Sequence, residues 1–287
     1  MFKDAWHRFW HTKEGHIPVI RDVVIAFLIL LTIMVALWGY TGQPFPQAPL
    51  VVIESGSMMH KDAPFGKLGT IDPGDLVLVV AVHSREDIIT YMEAYNKANL
   101  TEEKENYTTY GDYGDVLIYR PDTNGDGSIS DYIDKDRTPI IHRAMCWVEY
   151  NKDTKLYTVK EYGIINATSI TIEELGLENY KPKWSGFITK GDNNPVCDQS
   201  NIYYSPICPQ PVPVNHIIGK ATIEIPWFGL IKLAFFGNNV EPQEGWTTIL
   251  FATAPTDCWI CLGICLSILI LIPFSLDIYD YLKKKKD

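Results

Sequence analysis

Val23 to Tyr40 runs for 18 residues without a charged side chain. In hydrocarbon every backbone N–H and C=O must find its partner within the segment, so such a run reads as a membrane-crossing helix. It is longer than the apolar core of a cleavable signal peptide, and no clear small-x-small site follows it. A second uncharged run, Cys258 to Leu276, has 19 residues and reads as another span. The expected organisation is a cytoplasmic arm at 1–22, a span at 23–40, an extracytoplasmic domain at 41–257, a span at 258–276 and a basic cytoplasmic tail at 277–287.

Charge sets the orientation. The net charge is −10, yet residues 1–21 sum to +2 and 277–287 to +1, which leaves −13 between them. Positive flanks stay on the cytoplasmic side, so both termini are expected inside a multi-pass cell-membrane protein and the acidic segment outside, against membrane lipid. The N-x-[ST] sequons at Asn99, Asn106 and Asn166 all fall in that segment. An acidic exterior excludes nucleic acid as a partner, because phosphate binding requires a basic face.

Between the spans the pattern is mostly β. Thr41 to Pro49 holds three prolines and makes a stiff linker. Leu50 to Ile53, Leu76 to Val82, Gly114 to Arg120, Pro139 to Tyr150, Leu156 to Tyr162, Gly186 to Lys190 and Ile217 to Ile225 read as strands. Ser84 to Lys97 reads as a helix with a capping-box start at Ser84 and Asp87. It lies in an insertion near 83–113, and a second insertion falls at 122–138. Pro226 to Phe236 is apolar and aromatic, suited either to the membrane interface or to a β-hairpin in the core. Cys197 and Cys208 could form a disulfide, whereas Cys146 reads as buried and free.

Ser57 follows a strand and a glycine in Glu54-Ser55-Gly56-Ser57-Met58, where a hydroxyl can stand exposed on a turn. A serine needs a base within hydrogen-bond reach to become nucleophilic. On the exterior side the histidines are His60, His83, His142 and His216, and only His142 lies inside a strand-like run. Lys190-Gly191-Asp192-Asn193-Asn194 then offers an acidic loop, with Asp198 six residues beyond Asp192. Either carboxylate could accept the second imidazole N–H and fix the ring's tautomer.

This ordered set resembles the type I signal peptidases: an N-terminal span, Ser55-Gly56-Ser57-Met58, Gly74-Asp75-Leu76-Val77, Gly114-Asp115-Val116-Leu117, Ile141-His142-Arg143-Ala144 and Gly191-Asp192-Asn193-Asn194. With His142 and no lysine in the fourth block, it is similar to the archaeal and endoplasmic-reticulum branch. His60 departs from the family pattern, which has proline two residues after the Met of the serine motif. The resemblance implies a mainly β, membrane-anchored catalytic domain on the outer membrane face, working as a serine endopeptidase on signal peptides. It implies Ser57 as nucleophile, His142 as general base, and a role for Asp192 and Asp198, with Asp198 favoured as essential. Its substrates would be secretory preproteins, with the protein translocation machinery as an expected neighbour. The Ser57 N–H and the Ser55 hydroxyl are candidates for the oxyanion site.

Such hydrolysis requires no cofactor. Asp122, Asn124, Asp126 and Ser128 nevertheless fall at alternating positions of an EF-hand-like calcium loop, although Ile133 stands where that loop has glutamate. Two other readings fit parts of the pattern: a non-catalytic membrane-anchored surface domain with a calcium-stabilised loop, and a membrane protease for dedicated substrates.

Overall fold

The computed structural model describes residues 2–12, 16–60, 65–100, 106–203, 205–237 and 254–284. The last residues of the basic tail, 285–287, lie outside them. The chain divides into two units, Met1–Pro49 and Leu50–Asp287.

The first unit comprises α1 (Phe2–His11) and α2 (Ile17–Thr41). Pro18 falls in the first turn of α2, where its missing N–H costs nothing, and Gly42 closes the helix in the left-handed conformation. The helix begins earlier than the uncharged run suggests, because Arg21 and Asp22 are accommodated within its first turns. Among the described residues α2 alone is long and apolar enough to cross a membrane.

The second unit contains, in chain order, β1 (Leu50–Val52), β2 (Leu76–Val80), α3 (Tyr91–Leu100), β3 (Thr108–Thr109), β4 (Asp112–Tyr113), β5 (Val116–Tyr119), β6 (Ile140–Asn151), β7 (Leu156–Val159), β8 (Ile164–Ala167), β9 (Ile170–Ile172), β10 (Leu177–Tyr180), β11 (Gly186–Lys190), β12 (Ile217–Ile225), α4 (Gly229–Phe236) and α5 (Thr256–Lys284). Eight strands form one antiparallel sheet in the order β1-β2-β12-β5-β6-β7-β8, with β11 also paired to β6. Two short hairpins, β3-β4 and β9-β10, stand apart from it.

β5 is central, and all four of its residues are buried. Val116 and Ile118 pack with Ile53, Met58, Ile71, Val77, Val79 and Ala221 on one side. On the other, Leu117 and Tyr119 pack with Ile88, Ala144, Phe187, Cys208 and Val212. A continuous apolar run is what a strand covered on both faces requires, and each such aliphatic side chain contributes roughly 1.5–3 kcal/mol of burial free energy. Cys146 and Cys197 belong to a third cluster with Ile170, Leu175 and Leu177. Cys197 and Cys208 are therefore in separate parts of the core, and both are free buried thiols rather than the disulfide that their spacing allowed.

Two further expectations change. Ser84 and Asp87 do form a capping box, but around the single turn Arg85–Asp87, and the α-helix starts only at Tyr91. The apolar segment after β12 is the helix α4 and not a β-hairpin; Leu230 and Leu233 pack against Cys258 and Leu262 of α5. The expected second span, 258–276, lies wholly within α5 (Thr256–Lys284), whose described apolar stretch is Thr256–Ile272.

Asp75 ties these parts together. Its carboxylate accepts the Trp227 N–H at 2.9 Å and the Asp72 N–H at 2.9 Å. Gly74 before it adopts φ +100°, and a Cβ there would lie 2.3 Å from Leu230 Cδ2. Burial pushes Asp75 up to about 6, and nearby Glu224, for the same reason, up to about 7. A carboxyl raised in the folded state contributes stability that is full below its unfolded value and lost as pH rises through the folded one. The domain should therefore melt at a higher temperature at pH 5 than at pH 8. In Glu224→Gln, which keeps an acceptor for the Gly69 N–H, the difference between pH 6 and pH 8 should shrink. Thermal unfolding across that range checks this, and an unchanged slope in the variant would refute it.

Candidate active site

Ser57 sits on the single 3-10 turn Gly56–Met58, directly beyond β1. Met58 anchors that turn by inserting into the core, where it is buried among Ile53 and Val77. The Ser57 and Ser55 hydroxyls are 3.3 Å apart. The turn is strapped to the loop after β11: Asn193 N–H donates to the Ser57 carbonyl at 2.9 Å, and Asn193 Nδ2 donates to the Gly56 carbonyl at 3.1 Å.

Gly191 makes this approach possible. A Cβ there would lie 2.6 Å from the Ser57 carbonyl oxygen and 2.9 Å from His142 Nε2. Both the serine turn and the imidazole edge therefore rest against a backbone that carries no side chain.

His142 lies on β6 opposite Leu117 of β5 and is buried, at 3% exposure. Its Nδ1 is 2.7 Å from Asp198 Oδ2. That same oxygen accepts the Tyr119 hydroxyl at 2.7 Å and the Thr189 hydroxyl at 2.7 Å. Asp198 is 2% exposed, and its backbone N–H donates to the Thr189 carbonyl at 2.8 Å, which locks the carboxylate against β11. A carboxylate on Nδ1 leaves Nε2 as the free, proton-accepting nitrogen.

Asp192 is placed differently. Residue 143 projects from the opposite face of β6, and Arg143 grips Asp192 with two bonds, Nε to Oδ1 at 2.8 Å and Nη2 to Oδ2 at 2.6 Å. Arg143 Nη1 also donates to the carbonyls of Thr109, Tyr113 and Gly114. Asp192 is thus a partner of Arg143 that secures the loop and the β3-β4 hairpin, and it makes no bond to His142. A cavity of about 380 Å³ opens on this face, lined by Tyr91, Tyr95, Arg143, Met145, Lys190 and Asp192 among others.

The other histidines are occupied elsewhere. His60 Nε2 is 2.9 Å from the Tyr110 carbonyl and 3.9 Å from Asp192 Oδ2. His83 is exposed. His216 is buried, and burial lowers its proton affinity.

The loop carrying Asp122, Asn124, Asp126 and Ser128 spends its acceptors on itself. Asp122 takes the N–H groups of Gly125, Asp126 and Gly127, and Asp126 Oδ1 takes that of Ser128. Asn124 Nδ2 donates to Asp126 and Asp131. Among the described residues no group of three or more His, Cys, Asp or Glu side chains is arranged to hold a metal ion.

The structure therefore pairs Ser55 with Ser57 and His142 with Asp198, with Gly191 between the serine turn and the imidazole and no hydrogen bond from Ser57 Oγ to His142 among the described residues, and it sets Asp192 and the 122–128 loop apart from them. Tyr119, Thr189, Gly191 and Asn193 were not singled out individually in the sequence. Tyr119 and Thr189 stand inside strand-like runs and read there as filling; Gly191 and Asn193 belong to one of the blocks that carry the resemblance, but with no role of their own. No family model matches the chain, and no curated protein matches it.

Proposed function

We propose that this chain is a membrane-anchored serine endopeptidase of the signal peptidase I type, cleaving signal peptides from exported preproteins. The observation that carries the reading is the relay at the serine turn: a buried His142 with Asp198 on Nδ1 and Nε2 facing the Gly191 backbone against which Ser57 also rests. The Ser57 hydroxyl rests against that of Ser55 at 3.3 Å, and in this reading it turns to His142 Nε2 to lose its proton as it attacks a carbonyl.

In the mechanism, Ser57 Oγ adds to the scissile carbonyl while His142 Nε2 accepts its proton. Asp198 stabilises the imidazolium that forms. His142 then passes the proton to the leaving amine, and a water deprotonated by the same nitrogen releases the acyl group from Ser57. The Ser57 N–H and the Ser55 hydroxyl are the donors available to the oxyanion, and one such donor is worth on the order of a hundredfold in rate.

The substrate reading follows from the anchor and the strand edge. β1 pairs only with β2 among the described strands, so its second edge can take an extended peptide by strand addition. The serine turn follows it five residues beyond Val52. A short tether to α2 suits a substrate whose own apolar segment lies in the bilayer, as that of a signal peptide does. In this reading α5 crosses the membrane as a second span, both termini are cytoplasmic and the β domain is outside.

The test is incubation of the purified full chain in lipid with a membrane-embedded preprotein, followed by mass analysis of the products. A single cut after a small-x-small sequence is expected. Cutting elsewhere, or within only one narrow substrate type, would favour a protease for dedicated substrates.

A further inference from the structure

Asp198 Oδ2 receives three donors, while Oδ1, equally buried, has no partner among the described residues. This one-sided arrangement is unusual, because buried carboxylates ordinarily spread their acceptor sites over both oxygens. One donor, the ring of His142, belongs to the relay itself. The second, Thr189, is fixed through Gln199, whose Oε1 accepts the Thr189 N–H at 3.1 Å. The third, Tyr119, reaches the site from β5 and is 0% exposed.

We infer that Tyr119 is a positioning residue for the His142–Asp198 pair, its hydroxyl holding the carboxylate turned to Nδ1. This rests on the peptidase reading above. A phenylalanine at this place would fill nearly the same volume without burying a hydroxyl, and a buried hydroxyl is costly unless it is bonded. The hydroxyl donates to Asp198 at 2.7 Å, and the Thr189 Oγ1 that lies 3.2 Å from it gives its own proton to the same carboxylate oxygen at 2.7 Å. Burial and the Asp198 charge hold the phenol well above its ordinary range, so it remains a donor throughout the working pH range.

Two consequences follow from electrostatics. Turning the carboxylate about its bond would break three hydrogen bonds at once, so Oδ2 stays aimed at Nδ1. Each added donor also withdraws charge from Oδ2 and weakens its pull on the imidazole proton. With the phenol present, His142 returns its proton to the leaving amine more readily. Without it, the imidazolium is held more strongly, and the base is lost at a higher pH.

The experiment compares the full chain in detergent micelles with Tyr119→Phe, by the far-downfield proton resonance of His142 Nδ1–H and by the pH profile of kcat/KM on a preprotein. In Tyr119→Phe the resonance should move further downfield, and the acid limb of kcat/KM should rise by about half to one pH unit, the size of one altered hydrogen bond to a charged group. Site-specific 3-fluorotyrosine at position 119, a stronger donor, should move the resonance the opposite way, which gives a second readout if the phenylalanine variant does not fold. A resonance unchanged in the folded variant, or a uniform fall in kcat/KM with the acid limb in place, would overturn the inference. The resonance does not depend on turnover: if it moves as expected in a chain that cuts no preprotein, the peptidase reading fails while the coupling of Tyr119 to the pair stands.

Discussion

Asp198→Asn is expected to lower kcat by roughly a thousand- to ten-thousand-fold, the cost of losing the anionic partner in a serine relay. The reason lies in the three donors that converge on Oδ2. An asparagine that keeps its oxygen there carries no charge to stabilise the imidazolium, and it buries an amide where Oδ1 has no partner among the described residues. Flipped, it presents N–H to His142 Nδ1, which forces the ring proton onto Nε2 and blocks the base. Single-turnover rates on a preprotein, with circular dichroism to confirm the fold, check this. A variant within tenfold of wild type would mean that Asp198 does not orient His142.

Asp192→Asn should do the reverse, costing stability more than chemistry. Arg143 is 1% exposed on its side chain and Asp192 9%, so removing the carboxylate leaves a buried guanidinium without its counter-charge. Breaking a buried pair in this way typically costs about 3–5 kcal/mol. The low end is expected here, because the carbonyls of Thr109, Tyr113 and Gly114 remain as acceptors. Denaturant unfolding of the β domain measures the loss, and kcat per folded molecule should fall far less than in Asp198→Asn. If Asp192→Asn instead lost kcat with its stability intact, the roles of the two aspartates would be exchanged.

That division between the aspartates was open in the sequence, since both lie in one polar loop and a tight turn brings either within reach of a strand. Register decides it. His142 and Arg143 point to opposite faces of β6, and the loop passes over its end so that Asp192 falls on one side and Asp198 on the other. Local signals were sufficient where burial follows a simple pattern: β11 and β12 have the boundaries that their apolar runs suggest. They were insufficient for β8 to β10, short strands broken by turns at Gly163 and Gly176. They were also insufficient for α4, whose eight residues, apolar but for Lys232, are too few to separate helix from strand by periodicity. Tyr119 shows the same limit within the site. In Val116-Leu117-Ile118-Tyr119 it reads as core filling, and only the folded position of Asp198 gives its hydroxyl a role.

The most direct measurement is the rate of preprotein cleavage by the full chain beside a folded Ser57→Ala variant, with the cut mapped by mass analysis. The account predicts a cut after a small-x-small sequence in wild type and a loss of at least a thousandfold in the variant, since the rest of the relay cannot replace the nucleophile. Undiminished cleavage by Ser57→Ala at the same bond would contradict it.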